Sequence, residues 1–312
     1  MVKRIIVTEE IPIEGIRMLK ESGFEIVEVR KITHGELKER IGIFDVIIVR
    51  SKTKVDSEII KAGKNLKIIA RSGVGLDNID TVAAQKHKID VVNVPGAPSE
   101  SVAELVFALI LSLFRDIPKA DKAMKEGKWI KKEILGKELK GNSIGIIGFG
   151  RIGQKIAVIA KAFEMNILCH DILESCLLKA REMEVEAFGP SKESLFELLK
   201  KSHIITLHVP LVPETYHLIG EKEIQMMKDG AYIINTARGA VIDEDALYKA
   251  LKSGKLAGAG LDVYEREPPE GSPLVKLPNV VSTPHIGAST VEAQKATSVI
   301  LAEKIIALLK KP

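Results

Sequence analysis

Aromatic residues are scarce in this chain of 312: four tyrosines, eight phenylalanines and one tryptophan, Trp129. They are not interleaved with basic runs, and 46 basic residues stand against 42 acidic ones for a net charge of +4. A nucleic-acid footprint needs a strong basic excess beside stacking platforms, so that class is excluded. Cysteine is nearly missing. Cys169 and Cys176 match neither a metal nor a redox spacing, so they read as reduced thiols and no metal centre is expected. Long hydrophobic runs are also lacking. The longest apolar stretch, "VAELVFALILSLF", is interrupted by Glu104 and Ser112 and falls short of the ~18 residues that a membrane span needs. The opening "MVKRIIVTEEIP" has too short an apolar run for a signal peptide. These absences point to a soluble cytoplasmic protein with neither a membrane nor a nucleic-acid partner. Glutamine and asparagine are sparse beside lysine, glutamate and isoleucine, which resembles the composition of a thermophile.

What is present is a repeated alternation. The length predicts two domains at ~100–200 residues each. "RIIV", "DVIIV", "LKIIA" and "DVVNV" are apolar on both faces, the pattern of buried parallel strands, with helical segments "IEGIRMLKES" and "SEIIKAG" between them. This first unit ends near Val94, before Pro95 and Gly96. A long apolar helix follows in "SESVAELVFALILSLFRD", with Ser99 as its expected cap and a stop before Pro118. The lysine-rich segment after it reads as a solvated helix and loop that holds Trp129. A second series runs through "NSIGIIG", "NILCHD", "HIITLHV", "AYIINTA", "AGAGLDV" and "NVVSTP", again with helices between. The chain closes with a helix for which Ser289 and Glu292 offer a capping box. The fold class is therefore α/β with doubly wound parallel sheets.

The second series opens on "GIIGFGRIGQKIA", which sets Gly148, Gly150 and Gly153 at G-x-G-x-x-G spacing between a strand and a helix. Gly148 permits the tight turn, Gly150 lets a pyrophosphate approach the backbone, and Gly153 lets helix and strand pack closely. Arg151 and Ile152 open the helix, whose N-terminus favours an anion. Asp171 ends the next strand, about 20 residues on, where an acid meets the adenine ribose hydroxyls and repels a 2′-phosphate. No basic residue follows it immediately, so NAD rather than NADP is predicted.

Three later stretches put reactive side chains at or just beyond strand C-terminal ends, the edge where ligands bind in open α/β sheets. They are Arg238 in "INTARGAVID", Asp262 and Glu267 in "GLDVYEREPP", and His285 in "VSTPHIGAST". Hydride transfer between a hydroxy acid and NAD needs such a set. Arginine grips a carboxylate bidentately, histidine exchanges a proton near neutral pH, and an acid beside the imidazole stabilises its cation. His34, His87, His170, His203 and His217 read as structural or surface residues. His208, in "LHVP", either lines a cofactor cleft or is structural.

Over essentially its whole length the chain resembles the D-isomer-specific 2-hydroxyacid dehydrogenase family. "GNSIGIIGFGRIGQKIA", "HIITLHVPLVPETYHLIG", "MKDGAYIINTARGAVIDEDALYKALKSGKLAGAGLDVYEREP" and "TPHIGAST" carry the resemblance. It implies a discontinuous flavodoxin-like substrate-binding domain, residues 1–94 and 286–312, and an inserted Rossmann NAD domain, residues 95–285, with the cleft at the crossovers. It implies that Arg238 binds the substrate carboxylate, that His285 exchanges the hydroxyl proton and that Glu267 hydrogen-bonds His285. Thr236, Ala237 and Asp262 would face the nicotinamide end of the cofactor, and Val209 and Pro210 its ribose side. Gly287 and Ala288 complete the implied cofactor set.

"VRSKTKV", "RSGVGLDNID" and "NVPGAPSESVAELV" narrow the resemblance to the branch that oxidises D-3-phosphoglycerate to 3-phosphohydroxypyruvate with NAD, the entry to serine synthesis. Ser72, Gly73, Val74 and Gly75 would then offer an anion nest, and Arg50, Ser51 and Lys52 would meet the phosphate. The family often has arginine where Lys52 stands and asparagine where Pro98 stands, and lysine binds phosphate as a point charge rather than a fork. Glyoxylate or hydroxypyruvate reduction, or turnover of another D-2-hydroxy acid, is the alternative. An NAD-sensing, corepressor-like scaffold is a remote one. Many members of that branch carry a C-terminal regulatory domain. This sequence ends at Pro312, straight after the closing helix, so feedback through such a domain is not expected. A homodimer through the NAD domains is expected from the resemblance, from the all-round apolar helix after Ser99 and from Trp129.

Overall fold

The first isoleucine- and valine-rich runs become strands of one parallel sheet. In the computed structural model, which describes residues 2–310, they alternate with helices as β1 (Arg4–Val7), α1 (Ile13–Glu21), β2 (Glu25–Glu28), α2 (His34–Arg40), β3 (Val46–Val49), α3 (Ser57–Ala62), β4 (Ile68–Arg71), α4 (Thr81–Lys86) and β5 (Asp90–Val92). The order β2-β1-β3-β4-β5 is the flavodoxin-like one, and it reverses direction between β1 and β3. All four residues of β3 are buried, as a central strand covered on both faces requires. Helix starts are fixed locally. Thr33 and Glu36 form a capping box on α2, and Asp56 accepts the N–H groups of Glu58 and Ile59 at α3.

The second unit begins with α5 (Ser99–Phe114) and α6 (Ile117–Lys125). Then follow β6 (Ser143–Ile147), α7 (Arg151–Ala162), β7 (Asn166–His170), α8 (Glu174–Glu182), β8 (Glu186–Phe188), α9 (Lys192–Lys201), β9 (Ile204–Leu207), α10 (Glu221–Met226), β10 (Ala231–Asn235), α11 (Glu244–Ser253), β11 (Leu256–Leu261) and β12 (Val280–Ser282). All seven strands are parallel, in the order β12-β11-β10-β9-β6-β7-β8. Counted from β6 this is the dinucleotide-binding order with one strand added, and it reverses between β6 and β9.

The last helix, α12 (Val291–Leu309), returns to the first unit and packs along α1. A Cβ on Gly15 would stand 2.5 Å from the Ser298 carbonyl oxygen, so the two helices cross backbone against backbone. Leu301, Ala302 and Ile305 complete the core that holds Ile5, Ile16, Leu19 and Ile48. The chain therefore divides into residues 2–98 with 288–310, and Ser99–Gly287.

Several expectations need correction. Residues 95–98 belong to the first unit, where Ala97 packs with Val94. Residues 286–287 belong to the second, because Gly287 is bonded to Ser101 and Asp262. Thr290, not Ser289, caps α12 by accepting the Ala293 N–H. Ser99 is the first helical residue of α5 rather than a cap outside it. The helix does stop before Pro118, at Phe114, and Pro118 falls in the first turn of α6. Much of the apolar circumference of α5 is covered within its own chain, where Val102, Ala103, Val106, Phe107, Leu109 and Ile110 are buried, while Leu105, Leu111 and Leu113 are half-buried and Ala108 is exposed. β2, β8, α2, α4 and α8 have no counterpart among the elements expected from the sequence. They are short edge strands with half-exposed residues or short helices with only one or two buried side chains, so they carry little periodic signal.

Candidate active site

β6 ends at Ile147 and the chain turns at Gly148, whose φ of +93° is left-handed. A Cβ there would stand 2.5 Å from the His208 carbonyl oxygen and 3.1 Å from Val209 Cγ1. A Cβ on Gly153 would stand 2.4 Å from the Gly148 carbonyl oxygen, so the third glycine lets α7 close onto its own loop. Gly150 differs, because a Cβ there would enter open space. No side chain caps α7, whose first residues are Arg151 and Ile152. The loop thus leaves open space before helix N–H groups that no side chain caps, which fits a dinucleotide pyrophosphate. Asp171, buried at the end of β7, is oriented by the same loop. Its Oδ2 accepts the Phe149 N–H at 2.7 Å and its Oδ1 the Leu173 N–H at 2.9 Å. Each oxygen keeps a lone pair for a ribose hydroxyl.

At the neighbouring strand ends the reactive set converges. After β10, the Asn235 side chain donates to the Arg238 carbonyl at 2.9 Å and accepts the Ala237 N–H at 3.0 Å, which shapes the Thr236–Ala237–Arg238 turn. Among the described residues the buried Thr236 hydroxyl has no partner. A Cβ on Gly239 would lie 1.8 Å from the Tyr264 carbonyl carbon, so this turn packs directly on the segment after β11. That segment carries Glu267, whose Oε2 lies 2.8 Å from His285 Nδ1 and whose Oε1 accepts the Tyr264 N–H at 3.3 Å. A carboxylate only accepts, so Nδ1 holds the proton. Nε2 of neutral His285 is then an acceptor with no protein partner among the described residues.

Electrostatics agree with this assignment. The bond to Glu267 raises the His285 pKa above the ordinary imidazole value. Partial burial opposes that rise, the charges of Glu267 and Asp262 assist it, and Arg238 opposes it. For Glu267, burial pushes the pKa up, but His285, the Tyr264 N–H and Arg238 outweigh it and leave the pKa lowered. Arg238 therefore lies close enough for its charge to act on both partners.

Asp262 does something the sequence did not suggest. It is 1% exposed. Its Oδ1 accepts the Thr283 hydroxyl and the Ile286 N–H, both at 2.7 Å, and its Oδ2 the Gly287 N–H at 2.8 Å. These donors flank His285, which has a left-handed φ of +53°. Such backbone persists only where its surroundings over-determine it. Asp262 is thus the clamp of the His285 loop. Val209 and Pro210 follow β9, and the Pro210 carbonyl accepts the Thr215 hydroxyl.

The other predicted residues lie in the first unit. Ala288 opens its C-terminal segment. Arg50, Ser51 and Lys52 follow β3, and Ser72 to Gly75 follow β4. The expected nest is partly closed, because the Ser72 N–H donates to Val49 and the Gly73 N–H to Arg71. Missed from the sequence was Glu9, whose carboxylate accepts the N–H groups of Arg50, Lys52 and Thr53 at 2.9 to 3.2 Å. Asn78 holds the carbonyls of Arg50 and Thr53 on the other side. No local signal announces a bond across 41 residues.

Most remaining histidines have structural partners. His34 meets Asp56, His87 the Ala83 carbonyl, His203 the Ser143 N–H, and His217 Glu265. His170 is buried at the end of β7. Burial pushes His208 down to about 3, with its Nε2 2.8 Å from the Thr206 hydroxyl, so it stays neutral at pH 7.

Residues 107–287 match the family described as D-isomer specific 2-hydroxyacid dehydrogenase, NAD binding domain. The chain is 46% identical to D-3-phosphoglycerate dehydrogenase of Archaeoglobus fulgidus over 98% of its own length, and spans 57% of that protein's. It is 47% identical to hydroxypyruvate reductase of Thermotoga maritima over 97% of both chains. The solved D-lactate dehydrogenase of Aquifex aeolicus, complexed with NAD and lactic acid, superposes with a TM-score of 0.81 at 34% identity, covering 99% of this chain and 96% of that one. The chain belongs to the D-isomer specific 2-hydroxyacid dehydrogenase family, and its second unit is an NAD-binding domain.

Proposed function

We propose that the protein interconverts a D-2-hydroxy acid and its 2-oxo acid with NAD. The observation that carries this reading is the Glu267–His285 pair at 2.8 Å, on which the charge of Arg238 acts. When bound, NAD supplies the acceptor for the hydride from C2 of the hydroxy acid. Arg238 holds the substrate carboxylate, and Nε2 of His285 takes the hydroxyl proton. Glu267 keeps the imidazole in the tautomer that can accept it and stabilises the cation that results. In the reverse direction the same imidazolium returns the proton.

We further propose D-3-phosphoglycerate as the substrate. The first relative named above supports this choice. A second reading is hydroxypyruvate or glyoxylate reduction. It draws support from the Thermotoga maritima relative of matching length and from Glu9, whose carboxylate already occupies the backbone N–H groups of the 50–53 loop. A panel of D-hydroxy acids with NAD, and of oxo acids with NADH, followed by reduced-cofactor absorbance, tests both. The dehydrogenase reading predicts turnover in at least one direction. Preference for unphosphorylated acids would overturn the phosphoglycerate assignment.

The partner we propose is a second copy of this chain, joined through the second unit. Trp129 is 77% exposed and Leu135 94% exposed, with Ile117 and Met124 also exposed in the same stretch of chain. These uncovered apolar side chains support an association surface there.

A further inference from the structure

We infer that His217, Glu265 and Glu244 form a positioning device that holds Glu267 against His285, a role that rests on the dehydrogenase reading. Glu267 and His285 are both partly exposed, so their 2.8 Å contact needs support from the backbone that carries the carboxylate. The inner end of that segment is fixed at Tyr264. Gly239 packs against its carbonyl carbon, and its hydroxyl lies 3.2 Å from both the Leu261 and Thr283 carbonyl oxygens. The outer end is fixed at Glu265. Its backbone N–H donates to Glu244 Oε1 at 2.8 Å, and its Oε1 accepts the Glu244 N–H at 3.2 Å. The same Oε1 accepts from His217 Nε2 at 2.9 Å.

Three segments distant in sequence thus meet on one carboxylate, two residues before Glu267. Their arrangement is unfavourable in isolation. His217 has a left-handed φ of +49° and its ring stacks on Tyr216 with centroids 4.1 Å apart. Glu244 and Glu265 face each other with Asp245 close by, Asp243 lies 3.8 Å from His217 Nδ1, and burial, opposed by the bond from the Glu265 N–H and aided by the Glu265 and Asp245 charges, raises the Glu244 pKa. Strain and like charge gathered beside a reactive pair indicate a functional constraint. His217 is the donor that joins them, and its own loop is laced to the Arg238 turn by its N–H on the Ala240 carbonyl at 2.8 Å. One cluster therefore ties the turn of Arg238 to the segment of Glu267.

The experiment is a pH titration of the His285 imidazole by NMR on the full chain with ¹⁵N-labelled histidine, alongside pH profiles of kcat and KM. The groups that face His285 are Glu267, Asp262 and Arg238, and none of them is altered. Glu265→Ala should lower the His285 midpoint toward the ordinary imidazole value of about 6.5. It should also lower kcat about tenfold or more with KM for NAD unchanged. Glu265→Gln keeps an acceptor for His217 and for the Glu244 N–H and should restore the parental titration. An unchanged His285 midpoint in Glu265→Ala would overturn the proposal and leave the cluster a purely structural fastening. If Glu265→Ala does not fold, His217→Gln replaces it. That variant keeps both backbone bonds and should give a smaller shift in the same direction, and no shift overturns the proposal equally. Lack of turnover by the unmodified protein would overturn the dehydrogenase reading instead, while the titration still decides the positioning.

Discussion

Glu267 and His285 are 18 residues apart in sequence, yet Oε2 of one lies 2.8 Å from Nδ1 of the other, in the segments that follow the adjacent strands β11 and β12. The pair makes stability depend on pH from both sides. The His285 pKa is raised on folding, so its share is complete below about 6.5 and is lost as the pH rises through the folded value. The Glu267 pKa is lowered, so its share is complete above about 4.3 and is lost as the pH falls through the folded value. Glu267→Gln should therefore destabilise most between those limits, seen as a Tm difference across a pH series. It should also move the alkaline limb of oxo-acid reduction to lower pH, because the imidazolium donor loses its carboxylate. An unmoved limb would take Glu267 out of this role.

The glycine loop separates packing from binding. Gly150→Ala places a Cβ in open space and should cost the fold no more than about 1 kcal/mol. It should still weaken NAD binding, measured by calorimetric titration, because the methyl enters the open space before α7. Gly148→Ala meets both a left-handed φ and the His208 carbonyl, and should destabilise by about 2 kcal/mol or more in urea unfolding. Equal NAD affinity in Gly150→Ala and the parent would remove the pyrophosphate from this loop.

Asp171→Ala removes the acceptor of two backbone N–H groups, so a loss of about 1–3 kcal/mol in stability is expected. The KM for NAD should rise and the preference for NAD over NADP should narrow, since the charge that opposes a 2′-phosphate is gone. Steady-state kinetics with both cofactors check this, and an undiminished preference would show that another group sets it.

Light scattering at micromolar concentration should give the mass of a dimer. Trp129→Ala should weaken it by about 1–3 kcal/mol if the exposed ring is an anchor. A monomer mass for the unmodified chain would refute the assembly, and an unaltered dissociation constant in the variant would place Trp129 outside the contact.

The sequence by itself determined whatever depends on neighbours along the chain. Strands such as β3 and β9 are apolar on both faces, and their burial follows from that composition alone. The spacing of Gly148, Gly150 and Gly153 between a strand and a helix is likewise a local pattern with a local cause. Arg238, Glu267 and His285 stood out because each follows a legible strand. Short edge strands β2 and β8 did not, since three or four half-exposed residues carry almost no alternation. Tertiary structure decided the rest, because the partners are remote. Glu9 reaches the N–H groups of the 50–53 loop only because β1 and β3 are adjacent. Most of the apolar face of α5 is covered by its own sheet and α7. Asp262 turned out to clamp the loop on both sides of His285, because β11 and β12 end side by side and a buried carboxylate takes the nearest backbone donors.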